Sequence, residues 1–259
     1  MNIVVLVKQV PDTWSERSLS AADKTVDRAS VEAVINEMDE YAIEEALKLK
    51  EAHGGEVTVL TMGPERAVES IRKALSMGAD KAIHLTDDAL HGSCAVATSG
   101  AIAAALGTVE WDLVVCGTEA SDARVGAMGA MLSERLGIPQ LTSARKVTVD
   151  GNSVVIERQT DNGYEVVEAS LPAVVGVIEK INEPRYPSFK GIMAAKKKPM
   201  TTLSIADAGI DASSVGLANA TSVVLEFAPR PPREAGKAVK DEGNGGVELA
   251  EYLASQKII

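Results

Sequence analysis

The sequence predicts an α/β fold: an open, mostly parallel sheet with an antiparallel hairpin extension and a C-terminal arm. Three observations predict it. Short apolar runs rich in β-branched residues alternate with amphipathic stretches through the first half of the chain. Polar-apolar alternating runs joined by Asp-Gly and Asn-Gly steps come next. A tail rich in Pro, Gly and charge then ends the chain.

Ile3–Val7, Glu56–Thr61, Ala82–Leu85 and Leu113–Cys116 read as buried parallel strands, because continuous apolar runs of this length suit strands covered on both faces. Between them Tyr41–Glu51 sets Ala42, Ile43, Ala46, Leu47 and Leu49 toward one side of a helix, with Lys and Glu on the other. Pro64–Met77 and Ser93–Leu106 behave similarly, and Gly78 stops the first of these. Ala144–Val149, Ser153–Gln159 and Tyr164–Ala169 alternate with period two around Asp150-Gly-Asn and Asp161-Asn-Gly, which are hairpin signals. Leu171–Ile178 supplies one more buried strand. From Asn182 to Met193 there is no periodicity, and two prolines and a glycine predict a loop. Residues 1–228 are thus expected to form the α/β domain. Residues 229–259 are expected to form an arm with a short amphipathic helix over Val247–Ser255, suited to docking on a partner subunit.

Composition narrows the function. A net charge of -11 excludes the dense basic face that nucleic acid needs and suits a soluble, acidic cytoplasmic protein. No apolar run is long enough to insert in a membrane, and the N-terminus lacks the basic region of a signal peptide. Cys94 and Cys116 form no CxxC pair, and His53, His84 and His91 have no ligand spacing, so neither a metal site nor thioredoxin-type chemistry is expected. Cys116 reads as a small core residue. No Ser/His/Asp or Cys/His constellation and no paired carboxylates stand out, so no catalytic residue is assigned. Two Phe, two Trp and four Tyr leave few rings to stack on a flavin held wholly by this chain; a flavin shared with another subunit stays open.

An open parallel sheet of the nucleotide-binding type takes its ligand at the carboxyl ends of its strands. The segments leaving those ends are therefore the place to look: Lys8-Gln-Val-Pro-Asp-Thr13, Met62-Gly-Pro64 and Gly117–Gly129. The last is small and polar before a helix over Ala127–Leu136. Gly126 and Gly129 there would let backbone approach a ligand, and a helix start offers N–H groups to a phosphate. It is neither a Walker loop nor GxGxxG. The plainer reading is an ordinary helix start capped by Asp122 or Ser121. Asn36 similarly reads as the cap of the next helix, with Asp39 or Glu40 in its first turn, or as a contact to adenine or ribose. Lys8 and Asp12 read as a solvated pair or as catalytic groups, and Lys196–Lys198 as a solvated run.

Several blocks resemble electron-transfer flavoprotein beta subunits. Val155 to Val177 is similar to the family's signature, with Arg158, the turn Asp161-Asn-Gly163, then Pro172 and an apolar run. Asn182-Glu-Pro-Arg-Tyr186 followed by Gly191-Ile-Met-Ala-Ala-Lys-Lys-Lys198 resembles the next block. Lys8-Gln-Val-Pro-Asp12, Ala74-Leu-Ser-Met-Gly-Ala-Asp80 and the Gly117–Gly129 loop match in order and spacing, so the likeness spans nearly the whole chain. The resemblance implies a heterodimer whose alpha subunit holds most of a redox-active FAD, while this chain binds a structural AMP. By position, the AMP contacts fall on Leu6, on Asn36, Glu37, Met38 and Asp39, on Met62, and on Gly117, Thr118, Glu119, Ala120, Ser121, Asp122, Ala123, Arg124, Val125, Gly126, Ala127 and Met128. Many members have Asp-Thr-Gly-Gln where this chain has Arg124-Val-Gly-Ala127, so a hydroxyl and an amide near the phosphate are replaced, leaving backbone N–H groups and Arg124. The family's partner-docking loop corresponds to Tyr186, Pro187, Ser188, Phe189, Lys190, Gly191, Ile192 and Met193, with Phe189 in the anchor place; the plainer reading packs Phe189 on its own chain.

The resemblance implies an electron carrier rather than an enzyme, taking electrons from acyl-CoA or other dehydrogenases and passing them toward a membrane quinone oxidoreductase. Within this reading an electron-bifurcating type would hold a second FAD in place of AMP. From other classes, an ATP-using enzyme would need a phosphate-activating Lys or metal carboxylates near Gly117–Gly129, where only Glu119 and Asp122 qualify, and a nucleotide sensor would act by dimerising. Neither accounts for the Pro/Phe segment together with the tail.

Overall fold

The β-branched run after Met1 forms the middle of a sheet because its alternate side chains are apolar on both faces. In the computed structural model, which describes every residue except Glu234 and Lys237, it becomes β1 (Asn2–Leu6). The chain continues through β2 (Gln9–Pro11), β3 (Ala33–Ile35), α1 (Glu37–His53), β4 (Glu56–Met62), α2 (Val68–Met77), β5 (Lys81–Leu85), α3 (Ala95–Leu106) and β6 (Leu113–Gly117). After these come α4 (Met128–Leu136), β7 (Gln140–Asp150), β8 (Ser153–Thr160), β9 (Gly163–Ser170), β10 (Ala173–Val177), α5 (Phe189–Ala195), β11 (Met200–Leu203) and α6 (Gly245–Ser255). Nine strands make one sheet in the order β11-β5-β4-β1-β6-β10-β7-β8-β9, parallel from β11 to β7 and antiparallel beyond; β2 and β3 pair separately.

Alternation decides which helix covers which face. Ile3 and Val5 of β1, Val57 and Val59 of β4, and Leu113 and Val115 of β6 face α1 and α2, where Ile43, Ala46, Ile71 and Leu75 meet them. Val4, Leu60, Val114 and Val174 face the other way, onto Ile102 and Leu106 of α3 and Leu132 of α4. Each such buried aliphatic side chain contributes about 1.5–3 kcal/mol, so the two cores fix the strand ends without help from the loops. The α1 helix has Glu37, Asp39 and Glu40 in its first turn and Lys50 and His53 in its last, which matches its macrodipole. The antiparallel extension turns at Gly151 and Gly163, both in the positive-φ region, as its Asp-Gly and Asn-Gly steps require.

Two expectations about the elements around α5 need correction. Asn182–Met193 is not loop throughout: Phe189 opens the short helix α5, with the Ser188 hydroxyl accepting from Gly191 N at 3.1 Å. Hydrophobic period could not reveal it, because α5 is held by its cap and by close backbone packing, a Cβ on Gly191 falling 2.5 Å from Ser76 O. The preceding residues are stapled to α1. Asn182 Nδ2 donates to Tyr41 O at 3.1 Å, and the Arg185 guanidinium spans Glu44 at 2.7 Å and Glu51 at 2.6 Å. Nor is Lys196–Lys198 a uniformly solvated run. Lys198 Nζ donates to Leu75 O at 2.9 Å and Ala79 O at 2.5 Å, satisfying carbonyls at the end of α2.

Met1–Leu225 forms one compact unit. In the second unit, Glu226–Ile259, the described residues before α6 form no helix or strand, and α6 leaves Val247, Leu249 and Tyr252 exposed.

Candidate functional site

From β1 the chain passes first to β4 and β5 on one side and then to β6 and β10 on the other, so the connections part company between β1 and β6. Parallel sheets open a crevice at such a switch point, lined by the loops leaving the carboxyl ends. Leu6, Met62 and Gly117 are the last residues of β1, β4 and β6, and they bring three of the sequence-predicted positions to this edge.

Asn36 organises the crevice in a way the sequence did not disclose. It occupies the N-cap position of α1, yet its side chain caps nothing there. Nδ2 donates instead to Asp39 Oδ1 at 2.9 Å and to Glu119 O at 3.0 Å, while Oδ1 accepts from Ser121 N at 3.1 Å. Asp39 Oδ2 accepts from Lys8 N at 2.7 Å. A cap residue contacts only its own helix, whereas these bonds join residues more than 80 positions apart, and no local pattern reports that. Gly117 lies so close beneath α1 that a Cβ would fall 2.6 Å from Met38 Cβ and 2.9 Å from Asp39 Oδ1.

Asp122 is the charged centre of the loop, and it is not a helix cap either. Lys8 Nζ sits 2.8 Å from Oδ2 and 3.0 Å from Oδ1, and Arg28 Nε donates at 3.2 Å with Nη2 closing a second contact. The expected Lys8–Asp12 pair is therefore absent; Asp12 accepts from Trp14 N at 2.9 Å. Burial pushes the Asp122 carboxyl up, but the two cations outweigh it and hold the group below the usual carboxylate range. Asp39 goes the other way. Its burial outweighs the bonds from Asn36 and Lys8 N, and nearby Asp122 adds to the effect, so its carboxyl is pushed up to about 7. Cys116 beside it is a core thiol raised to about 12, first by burial and then by Asp39. Arg28 was invisible to sequence reasoning because it belongs to an aperiodic excursion between β2 and β3.

Beyond this stem the loop tip is open. Ala123, Arg124, Val125 and Gly126 are exposed, and Arg124 and Gly126 have φ of 50° and 63°. The amides of Val125, Gly126 and Ala127 find no acceptor among the described residues, and α4 begins at Met128 with no side-chain cap. Gly126 has nothing within 4 Å of a built Cβ, so glycine is needed there for conformation rather than space. Gly129 makes ordinary contacts to Cys116 and Val174. Thr61 Oγ1, Arg66 Nη2 and Ser121 Oγ are buried without partners at or just past the carboxyl ends of β4 and β6. Such atoms cost about 1–3 kcal/mol each when unpaired, a cost that a polar group bonded to them would offset. Glu37 is exposed at the rim, and Met38 is half-buried under the loop.

The segment Tyr186–Met193 is the opposite kind of surface. Tyr186 is 94% and Phe189 81% exposed, Ile192 and Met193 are also exposed, and Lys190 is solvated beside them. Phe189 does not pack on its own chain. Among the described residues no cluster of three or more His, Cys, Asp and Glu side chains could hold a metal, and no helix is long and apolar enough to cross a membrane.

A family model described as electron transfer flavoprotein domain matches residues 23–208. The electron transfer flavoprotein subunit beta of Mycobacterium tuberculosis is 56% identical over 100% of this chain and 99% of its own length. That of Thermoanaerobacterium thermosaccharolyticum is 40% identical over 100% of both. The caffeyl-CoA reductase-Etf complex subunit CarD of Acetobacterium woodii is 37% identical over 99% of this chain and 97% of its own. The chain belongs to the electron transfer flavoprotein beta subunits.

Proposed function

We propose that this member of the electron transfer flavoprotein beta subunits binds AMP in the crevice between β1 and β6. With an alpha subunit that holds the redox-active FAD, it carries electrons from dehydrogenases, such as acyl-CoA dehydrogenases, toward a membrane quinone oxidoreductase. The observation that carries the nucleotide reading is the loop tip: three unpaired amides run into an uncapped helix at the switch point of a parallel sheet. A phosphate there would meet backbone N–H groups and Arg124, which compensates for the hydroxyl and amide that Val125 and Ala127 replace. Leu6, Met62 and the backbone of Asn36 to Asp39 would flank the base and ribose. AMP fills and rigidifies the site without redox chemistry, whereas the flavin supplies all electron transfer.

In this reading Tyr186–Met193 docks partner proteins through Phe189, and residues 229–259 dock on the alpha subunit in a cytoplasmic heterodimer. A second flavin in place of AMP, as in an electron-bifurcating type, is the alternative. Co-expression with the alpha subunit, acid release and quantitation of nucleotides decides between them. One FAD and one AMP per heterodimer is the expected result; two FAD without AMP selects the alternative, and neither nucleotide in the crevice overturns the reading. Excess AMP should also raise the stability of AMP-stripped protein by about 3 kcal/mol at a hundredfold excess over its dissociation constant.

A further inference from the structure

We infer that Asn36 and Asp39 are positioning residues, whose side chains set the geometry of the Gly117–Ala127 loop from beneath without touching the nucleotide. This rests on the nucleotide reading above and assigns these two side chains a different task from the direct contact expected from sequence position.

The bonding capacity of both groups is already directed inward. Asn36 is 1% exposed, and both of its amide protons are donated, one to Asp39 and one to Glu119 O, while its oxygen accepts from Ser121 N. Asp39 is 6% exposed, and its two oxygens accept from Asn36 Nδ2 and Lys8 N. A ligand seeking a donor from Asn36 would have to break a bond to a group with no water to replace it. The bonds instead join three segments: the one after β1, the one before α1 and the one after β6. They hold the loop at Glu119 and Ser121, while Lys8 and Arg28 hold it at Asp122. The stem is therefore fixed at consecutive points, and only the exposed tip with its free amides is left to meet an anion. The direction of those amides is inherited from the stem.

The polarity of the pair is also specific. Asp39→Asn would put an NH2 group against either Asn36 Nδ2 or Lys8 N. The only relief is for Asn36 to flip, and a flipped Asn36 presents NH2 to Ser121 N and loses the loop. The double exchange Asn36→Asp with Asp39→Asn restores the chain of bonds: the new amide donates to the new carboxylate and accepts from Lys8 N, and the carboxylate accepts from Ser121 N. The bond to Glu119 O is replaced by a contact between two oxygens, so the restoration is partial.

The test uses the heterodimer stripped of nucleotide and measures AMP affinity by titration calorimetry. Asp39→Asn should weaken AMP about tenfold or more, and the double exchange should recover part of that loss. A second readout is the pH profile. The titratable groups facing Asp39 are Lys8, Asp122 and Cys116, and the Asp39 carboxyl is pushed up to about 7. As the carboxyl takes up a proton below about pH 7 it can no longer accept from both N–H groups. Wild-type affinity should therefore fall toward that of Asp39→Asn, which has no carboxyl to titrate there, a comparison in which the titration of the phosphate cancels. If Asp39→Asn fails to assemble, Asn36→Ser, which spares the Asp39–Lys8 bond, takes its place: weakened AMP binding supports the inference and unchanged binding overturns it. Wild-type AMP binding combined with unchanged affinity in the single variants overturns the positioning role alone. So does a double exchange weaker than either single, since direct contacts would be lost at both positions. Wild-type protein that binds no AMP at all sinks the nucleotide reading and this inference with it.

Discussion

The crevice and the Tyr186–Met193 segment treat the same physical costs in opposite ways. The crevice withdraws Asn36, Asp39 and Asp122 from water and satisfies them internally, leaving exposed backbone amides as its free groups. The Tyr186–Met193 segment leaves Tyr186, just before α5, and Phe189, at its start, in water, and the helix itself is held by a polar cap. A small anion needs fixed donors and little area, whereas a protein partner needs apolar side chains that can be buried on contact. In the proposed reading the difference separates two kinds of recognition on one chain, and substitutions should separate them too.

The largest effect is expected at Gly117. Replacing it with Val drives a side chain into Met38 and Asp39, so stability should fall by about 3 kcal/mol or more and AMP should be lost. Thermal melting together with nucleotide content checks this. Next comes Phe189→Ala, which should cost about 2 kcal/mol or more of binding to a cognate dehydrogenase while melting temperature and flavin content stay put. Lowered stability with unchanged electron delivery would break the comparison, because Phe189 would then be part of the core. A smaller effect is expected at Gly126→Val. Space is open there, but the φ of 63° is not, so strain of about 1 kcal/mol should appear mostly as weakened AMP binding. Equal melting losses at Gly117 and Gly126 would erase the distinction drawn between crowding and conformation.

The smallest concerns pH. His84 is buried beneath the crevice wall, its ring nitrogen 3.1 Å from Gly63 O, and burial holds its pKa below the usual 6.5. The unfolded chain therefore takes up the proton first as pH falls. Stability from this group is present above about 6.5 and is lost as pH falls toward the lower folded value. His84→Gln should flatten the slope of melting temperature against pH below neutrality; an unchanged slope would assign the acid sensitivity to other groups.

Much of the fold is legible in the sequence. Continuous β-branched runs identify β1, β4, β5 and β6, because a strand covered on both faces has no other economical composition. The Asp-Gly and Asn-Gly steps locate the hairpins, and the small polar stretch after β6 marks the loop that lines the crevice. The aperiodic Pro/Phe stretch marks exposed aromatics, although its second half is helical.

By itself, then, the sequence determined the strand order's raw material and the family, since each depends on patterns within a dozen residues or on blocks matched whole. Tertiary structure alone decided the wiring. Asn36 reads locally as a cap and Asp122 as another, but folding brings Glu119 and Ser121 to the first, and Lys8 and Arg28 to the second. A side chain's hydrogen-bonding groups go to whichever partners burial leaves nearest, and the sheet order, not the neighbouring sequence, sets those partners.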